Sequence, residues 1–262
     1  MEKIIAAFIN LFYPLHCLVC RQRIDVFSSD QMCKQCLDKF YYLKAPFCTK
    51  CGRPLPAERQ ELAKICRVCQ KFPPQFDRGF SVCLYEGVLK ECLHKFKYQG
   101  KTALKKTFGR MVSSFINENI LKTLPDISEE GKKNLFDCII PVPLHITRMR
   151  ERGFNQSELL AIEVCKSLDI SLKTNILKRK RFTKSQILLT KKQRRKNVRD
   201  AFIARTDKTI KSVILLDDIM TTGSTLDECS RTLRQAGIEF ICAVVVARTL
   251  HIATAKPDRK FR

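Results

Sequence analysis

The chain has 262 residues, of which 45% are hydrophobic and 29% are charged. This length can hold one large or two modest globular domains, and the apolar content is enough for a substantial core, which excludes a disordered protein. The formal net charge of +23 favours a polyanionic partner such as nucleic acid, although a basic soluble protein without such a partner can have the same composition.

Residues 1–15 form an apolar stretch that is similar to a secretory signal peptide only at first sight. Glu2 lies in the part that should be positively charged, Asn10 interrupts the apolar run, and no small-residue cleavage site follows. The run is also too short to span a bilayer. We therefore expect a cytoplasmic protein whose N-terminal helix packs on the rest of the chain, with attachment to a membrane surface as the alternative. The predicted apolar face consists of Ile4, Ile5, Phe8, Leu11, Phe12 and Leu15.

Cysteine spacing is the most specific feature of the N-terminal part of the chain. Eight of the 14 cysteines form four C-x-x-C pairs. Two such pairs joined by a short hairpin bring four thiolates to one tetrahedral zinc ion, so the spacing predicts two successive zinc ribbons. Both zinc ions would be structural, because no coordination position stays open. A disulfide framework is the alternative, which a reducing cytosol disfavours. The expected ligands are Cys17, Cys20, Cys33, Cys36, Cys48, Cys51, Cys66 and Cys69.

The pattern changes at the segment Lys71-Phe72-Pro73-Pro74. Such proline-rich segments are typical of linkers. We predict two domains: residues 1–74, with the N-terminal helix and the double zinc ribbon, and residues 75–262. Each is expected to have its own core.

Predicted strands and helices alternate after this boundary. A surface loop is predicted at 124–134, and Asn155 is predicted to cap a helix. The alternation predicts an α/β fold with a mostly parallel sheet flanked by helices. The predicted strands are 79–85, 136–140, 213–216 and 241–247, and the predicted helices are 88–96, 104–115, 156–168 and a helix that ends at Ala236.

The strongest functional pattern is VILLDDIMTTGST at residues 213–225. Its aliphatic run suits a strand buried on both faces, Asp217 and Asp218 follow, and a turn rich in hydroxyl groups opens a helix. Backbone amides and the helix dipole in such a turn favour a phosphate, whereas the two carboxylates suit sugar hydroxyls. The pattern predicts a pocket for ribose 5-phosphate, and a solvated turn after a buried strand is the alternative. The expected phosphate contacts are Thr221, Thr222, Gly223, Ser224 and Thr225.

This pattern resembles the phosphoribosyl pyrophosphate (PRPP) signature of type I phosphoribosyltransferases. The resemblance implies a type I phosphoribosyltransferase-like fold that binds PRPP with magnesium, and catalytic roles for Asp217 and Asp218 at the ribose. No residue identifies an acceptor. That family carries a pyrophosphate loop where this chain has the segment Pro141-Val142-Pro143. Arg148 and Arg152 are therefore the candidates for binding pyrophosphate, with a basic loop and helix cap as the alternative.

Nearly the whole chain is similar to the ComF family of competence-type proteins. The shared features are the C-x-x-C ribbons, Pro141-Val142-Pro143, the segment RGFNQ at 152–156, Gln186 with Arg195 and Asn197, and the signature at 213–225. The resemblance implies a cytoplasmic protein that handles imported single-stranded DNA in natural transformation, or DNA utilisation more broadly. Its implied partners are PRPP, single-stranded DNA and other competence or DNA-uptake proteins, with membrane-surface association through such a partner.

Two other functions stay open. The chain could be a phosphoribosyltransferase of nucleotide salvage or biosynthesis, or a non-catalytic interaction module that responds to PRPP. Both would keep the same ribose 5-phosphate pocket.

A basic block extends from Lys173 to Arg199, with no acidic residue between Asp169 and Asp200. It lies where related transferases carry a loop that closes over PRPP. The backbone of DNA would attract the same groups, and a solvated surface stretch is the third interpretation. Sequence does not separate a lid from a DNA surface. The candidate DNA-binding residues are Lys191, Lys192, Arg194, Arg195 and Lys196.

Overall fold

The computed structural model describes residues 14–24, 30–56, 64–122, 135–182 and 191–250. Nearly all of the predicted N-terminal helix lies outside these residues, as do the predicted loop at 124–134 and Gln186. The described strands, in chain order, are β1 (Arg78–Leu84), β2 (Cys138–Pro141), β3 (Leu177–Arg179), β4 (Phe202–Ala204), β5 (Ser212–Met220) and β6 (Phe240–Arg248).

The helices in these parts of the chain follow the predicted apolar stripes where such stripes exist. A π-helical turn at Asn117–Leu121 continues the fourth helix. The described helices are α1 (Lys34–Leu37), α2 (Arg67–Lys71), α3 (Gly87–Tyr98), α4 (Leu104–Ile116), α5 (Ile146–Arg152), α6 (Gln156–Leu168), α7 (Lys191–Val198) and α8 (Ser224–Gln235).

A four-stranded parallel sheet in the order β1-β6-β5-β2 forms the centre of the molecule. Successive residues of β5 face opposite sides of this sheet. Ile214 and Leu216 pack with α3, α4 and α6, whereas Val213 and Leu215 pack with α8. The sheet is therefore covered by helices on both faces, which confirms the predicted α/β fold. Because β5 lies between β6 and β2, its carboxyl end lies between the carboxyl ends of these two strands.

A short antiparallel pair, β3 with β4, lies apart from the main sheet. Helix α7 lies in the chain between the two strands, within the basic block where related transferases carry a loop. These elements have no sequence signal that periodicity could detect. Each strand has three residues, and the helix sequence KKQRRKNV contains one apolar residue. Strand β4 and helix α7 contact α8 instead, and β3 pairs with β4.

The two cysteine ribbons follow one another along the chain, as predicted. Each contains a short helix that begins directly after a cysteine, α1 after Cys33 and α2 after Cys66. The segment between the ribbons pairs with the exposed edge of β1. The amide of Leu43 donates to Val82 O at 2.9 Å and the amide of Leu84 donates to Tyr41 O at 2.8 Å. The cysteine-rich head thus protects this sheet edge.

The zinc-ribbon part of the chain and the main sheet share one hydrophobic interior. This corrects the expectation that each domain has its own core. One buried cluster joins Cys17 and Phe40 to residues of α3 and α4, and the other joins all four cysteines of the second ribbon to residues of β5 and α8. Gly52, at φ +65°, shows how close the approach is. A Cβ atom at this position would lie 2.2 Å from Gly79 O, so a side chain has no room there. The boundary between residues 74 and 75 stays a prediction.

Across the described ranges, every helix is too short or too polar to cross a membrane.

Candidate ligand site at the carboxyl end of strand β5

Strand β5 carries both signature carboxylates within its hydrogen-bonded length. We expected the strand to end before Asp217, but its pairing with β6 continues to Met220. Asp217 is half-buried, and Asp218 is 6% exposed. Two adjacent carboxylates with so little contact with water need partners.

Helix α6 supplies the partner of Asp217. The Oγ atom of Ser157 donates to Asp217 Oδ1 at 2.8 Å, and the amide of Asp218 donates to the same oxygen at 2.9 Å. The pKa of Asp217 is raised to about 7, chiefly by burial and then by the charge of Asp218, while Ser157 and Lys97 oppose the rise. This carboxyl group can therefore exchange a proton near neutral pH.

Helix α3 supplies the partner of Asp218. The Nζ atom of Lys97 lies 2.8 Å from Asp218 Oδ1, and both side chains are largely buried. The sequence analysis did not assign this lysine. A signal was present, because Phe96 belongs to the buried stripe of α3, so the next residue had to turn off that stripe by about 100°. Where the side chain of Lys97 lies depends on a contact between parts of the chain that are far apart in sequence.

The turn from Thr221 to Thr225 joins β5 to α8. Gly223 has φ +78° and precedes the first residue of the helix, a conformation that favours glycine. The hydroxyl groups of Thr222 and Ser224 lie 2.8 Å apart, and the amide of Ser224 donates to Thr222 Oγ1 at 3.4 Å. The start of α8 lies at the same place, and the positive end of a helix dipole favours an anion there. The predicted phosphate-binding residues thus lie together beside the two carboxylates.

The two candidate pyrophosphate residues lie on helix α5 and not in a loop. Arg152 donates to Gln156 Oε1 at 3.0 Å and to the hydroxyl group of Tyr98 at 3.1 Å. Arg148 is half-buried, and its charge adds to burial in lowering the pKa of Arg179. Arg152 would have to exchange partners to bind pyrophosphate through the same nitrogens.

The residues after Arg152 connect the proline segment to the carboxylates. Asn155 caps α6 as predicted, since its Oδ1 accepts from the amide of Ser157 at 3.2 Å. Its Nδ2 donates to Val142 O at 3.2 Å. Asn155, Gln156 and Ser157 are all at least nine-tenths buried. This segment therefore fixes the strand end of β2 relative to Asp217.

The candidate DNA-binding residues lie on α7, which packs beside α8. Lys196 is exposed, and the placement of the side chains of Lys191, Lys192, Arg194 and Arg195 lies outside what the structure describes. The end of the block is anchored to α8. The amide of Asp200 donates to Glu228 Oε1 at 2.7 Å, and Arg231 bridges both acids at 2.7 and 2.5 Å.

The eight predicted zinc ligands form two groups of four in chain order. Within each group the sulfur atoms lie within 4.8 Å of one another. The Cys20–Cys33 and Cys51–Cys66 sulfur distances are 3.6 and 3.8 Å, against about 3.8 Å between ligands of a tetrahedral site with Zn–S bonds of about 2.3 Å. The residues therefore fit two closed four-thiolate zinc sites.

A buried arginine links the second tetrad to the main sheet. Arg248, at the end of β6, is 3% exposed and donates to Cys51 O at 2.7 Å. Burial lowers its pKa, and the nearby thiol of Cys51 opposes this change. Arg248 is also the register partner of Met220. The second zinc site thus contacts the carboxyl end of β6, next to the carboxyl end of β5 that carries the candidate ligand site.

These features define a phosphoribosyltransferase-fold protein with an N-terminal double zinc ribbon. The sequence matches the double zinc ribbon domain family over residues 8–71 and the phosphoribosyl transferase domain family over residues 155–261. It is 31% identical over 240 residues to "Competence protein F" of Haemophilus influenzae, covering 90% of this chain and 98% of that protein. The chain belongs to the ComF family.

Two further relatives extend the comparison. "DNA utilization protein YhgH" of Escherichia coli O157:H7 is 30% identical over 203 residues, covering 78% of this chain and 84% of that protein. "Competence protein ComFC" of Bacillus subtilis is 26% identical over 249 residues, covering 85% of this chain and 91% of that protein.

Proposed function

We propose that the chain binds PRPP at the carboxyl end of β5. The observation that supports this most is the juxtaposition of two differently held carboxylates with a hydroxyl-rich turn at the start of α8. In this proposal the turn Thr221 to Thr225 binds the 5-phosphate, and Asp217 and Asp218 accept hydrogen bonds from the ribose hydroxyls. Magnesium bound with PRPP would reduce the repulsion between pyrophosphate and the carboxylates.

Pyrophosphate would lie toward α5, within reach of Arg148 and Arg152. Lys97 is an additional candidate for anion contact, since it brings a positive charge to Asp218. Once ribose hydroxyls share Asp218, the ammonium group can donate to a phosphate oxygen as well, because it has three protons.

The cellular role that we propose is the handling of imported single-stranded DNA in the cytoplasm during natural transformation. The names of the relatives support a role in competence or DNA utilisation, and the net charge of +23 suits a polyanion. Helix α7 would contact the phosphate backbone of the DNA through Lys191, Lys192, Arg194, Arg195 and Lys196. Its position beside α8 also suits a lid over PRPP. Other competence or DNA-uptake proteins would be the partners, and any membrane-surface association would be through them.

Isothermal titration with PRPP and magnesium, followed by titration with a dT oligonucleotide, tests both parts. We expect saturable binding of each. Ribose 5-phosphate is the matched control, because it fills the phosphate and ribose subsites without pyrophosphate and should bind more weakly. A folded, zinc-loaded protein that does not bind PRPP would rule out the pocket, and one that does not bind the oligonucleotide would rule out the DNA role.

Phosphoribosyl transfer is the second candidate, favoured by the raised pKa of Asp217. A carboxyl group with a pKa of about 7 can accept or donate a proton at neutral pH. In such a reaction an acceptor nitrogen would attack the anomeric carbon, the bond to pyrophosphate would break, and the proton of the acceptor would pass to the carboxylate of Asp217. Pyrophosphate release in the presence of a nucleobase panel, above the rate without acceptor, would support the transferase. Release at the background rate with every base would favour the non-catalytic, PRPP-responsive module.

A further inference from the structure

Three planar side chains meet on the surface where α3 and α5 end. Tyr98, the last residue of α3, is 53% exposed. The guanidinium carbon of Arg152 lies 4.6 Å from its ring centroid, and the imidazole of His94 lies 4.9 Å from it. Aromatic rings and guanidinium planes are the groups on which unpaired nucleobases stack.

Buried partners hold this cluster in place. Arg152 is fixed through its hydrogen bond to Gln156, which is 2% exposed. The residue before Tyr98 is Lys97, whose ion pair with Asp218 fixes the end of α3 from the other side. Because the ring and the guanidinium group are already ordered, little side-chain entropy remains to be lost when a ligand stacks on them.

The surrounding charge suits a nucleic-acid strand. Helices α3 and α5 contain six basic and two acidic residues. Lys97 is paired with Asp218, but the other five basic residues still outnumber the acidic ones, so phosphates on either side of a stacked base would meet a positive surface. The basic residues are Lys90, Lys95, Lys97, Arg148, Arg150 and Arg152, and the acidic ones are Glu91 and Glu151.

We propose that Tyr98, with Arg152 and His94, is a stacking platform for an unpaired base of single-stranded DNA. This rests on the proposed DNA role and adds a defined subsite to it. Lys97 points inward to the carboxylates, while Tyr98 contacts Arg152 on the surface. The platform would therefore hold the strand next to the PRPP pocket, on the side of the molecule formed by α3, α5 and α6.

Fluorescence anisotropy with two oligonucleotides tests the platform. One is a dT strand of about 16 nucleotides, the upper end of common single-strand site sizes, and the other has the same backbone with abasic sites. Tyr98→Leu should weaken binding of the dT strand by roughly 5- to 100-fold and leave binding of the abasic strand unchanged. Tyr98→Phe, which keeps the ring, should bind both strands as the wild type does.

Phe72→Leu is the matched control. Phe72 is 45% exposed and has the Lys71 ammonium group 5.7 Å from its ring centroid, so it is also an exposed ring beside a cation. Its replacement should change neither affinity. The proposal is overturned if Tyr98→Leu binds the dT strand as the wild type does. It is also overturned if both strands weaken equally, because the ring would then only join α3 to α5. A wild-type protein that binds neither strand would reject the DNA role itself.

Discussion

The ammonium group of Lys97 lies 2.8 Å from Oδ1 of Asp218, and this contact ties the end of helix α3 to the carboxyl end of β5. Ser157 makes the corresponding contact to Asp217 from helix α6. Two adjacent carboxylates would otherwise repel each other in a site that is largely shielded from water. Each acid instead has its own partner, so the pair is positioned before any ligand binds.

We expect Lys97→Met to destabilise the folded protein by about 3 kcal/mol, the lower end for breaking a buried ion pair, because Asp218 is left buried and charged. Adding Asp218→Asn should recover a large part of this loss. Urea unfolding of the two single variants and the double variant gives the coupling free energy. Losses that simply add would mean that the ion pair contributes no coupling.

Both carboxylates should contribute to PRPP affinity. Above the pKa of about 7 for Asp217, Asp217→Asn and Asp218→Asn each remove a charged acceptor, at a cost of roughly 1.5–3 kcal/mol of binding free energy. Calorimetry of the folded variants measures this. Asp207→Asn is the control, since this exposed carboxylate accepts hydrogen bonds from Thr209 and Ile210 within its own turn. Unchanged PRPP affinity in both site variants would show that the ribose is not bound there.

The raised pKa of Asp217 predicts a pH dependence of stability. The carboxyl group binds a proton in the folded state up to a pKa of about 7, against 3.8 ordinarily. The folded state therefore binds more protons than the unfolded state between these values, and stability falls as pH rises from about 4 to 7. In Asp217→Asn this part of the slope should disappear. Urea midpoints at several pH values compare the two proteins, and parallel slopes would contradict the assignment.

The candidate site was partly predictable because much of its signal is local. The run from Val213 to Thr225 contains the strand, both acids and the phosphate turn in one segment, and hydrophobic pattern and turn chemistry are both read over such short spans. Lys97 was not predictable in the same way. Its position on α3 follows from periodicity, whereas its contact with Asp218 follows from how α3 packs on the sheet.

The fold was likewise predictable only where its sequence signal is local. Long apolar strands such as β5 and β6 were predicted, while β3, β4 and α7 were not, because they have no apolar pattern of their own and depend on the contacts of β4 and α7 with α8. The C-x-x-C spacing predicted both tetrads, but it gave no signal for the contact of Gly52 with Gly79 or of Cys51 with Arg248. The sequence around these residues looks the same whether or not the zinc ribbons pack on the sheet, so it does not predict these contacts.

The shared interior changes what loss of one zinc site should do. The purified protein should contain two zinc ions, one for each tetrad, and elemental analysis near one per chain would contradict the double ribbon. Cys48→Ser with Cys51→Ser should release one ion. Since these cysteines pack with residues of β5 and α8, the thermal midpoint of the whole protein should fall as well.

The first tetrad provides the control for this variant. Cys20 is exposed and Cys33 is half-buried, so Cys20→Ser with Cys33→Ser should also release one ion but disturb the sheet less. Calorimetric unfolding measures both variants. An unchanged main transition after loss of the second tetrad would restore the original expectation of independent cores.

The basic helix α7 gives a prediction that separates a DNA surface from a lid. Changing Lys191, Lys192, Arg194, Arg195 and Lys196 to Gln keeps good helix formers while removing five positive charges. If α7 contacts the DNA backbone, single-strand affinity should fall and the slope of log affinity against log salt should flatten, by up to about 0.7 for each lost phosphate contact. Anisotropy titrations over a salt series measure this slope.

A matched control removes the same charge from another surface. Changing the exposed residues Lys34, Lys39, Lys44, Lys64 and Lys166 to Gln lowers the net charge equally but leaves α7 intact. If both variants flatten the slope alike, general charge attracts the DNA and α7 is not a specific surface. If the α7 variant loses PRPP affinity while its DNA affinity and salt slope stay at wild-type values, the helix acts as a lid. Only a salt slope that changes in the α7 variant and not in the control places the strand on α7.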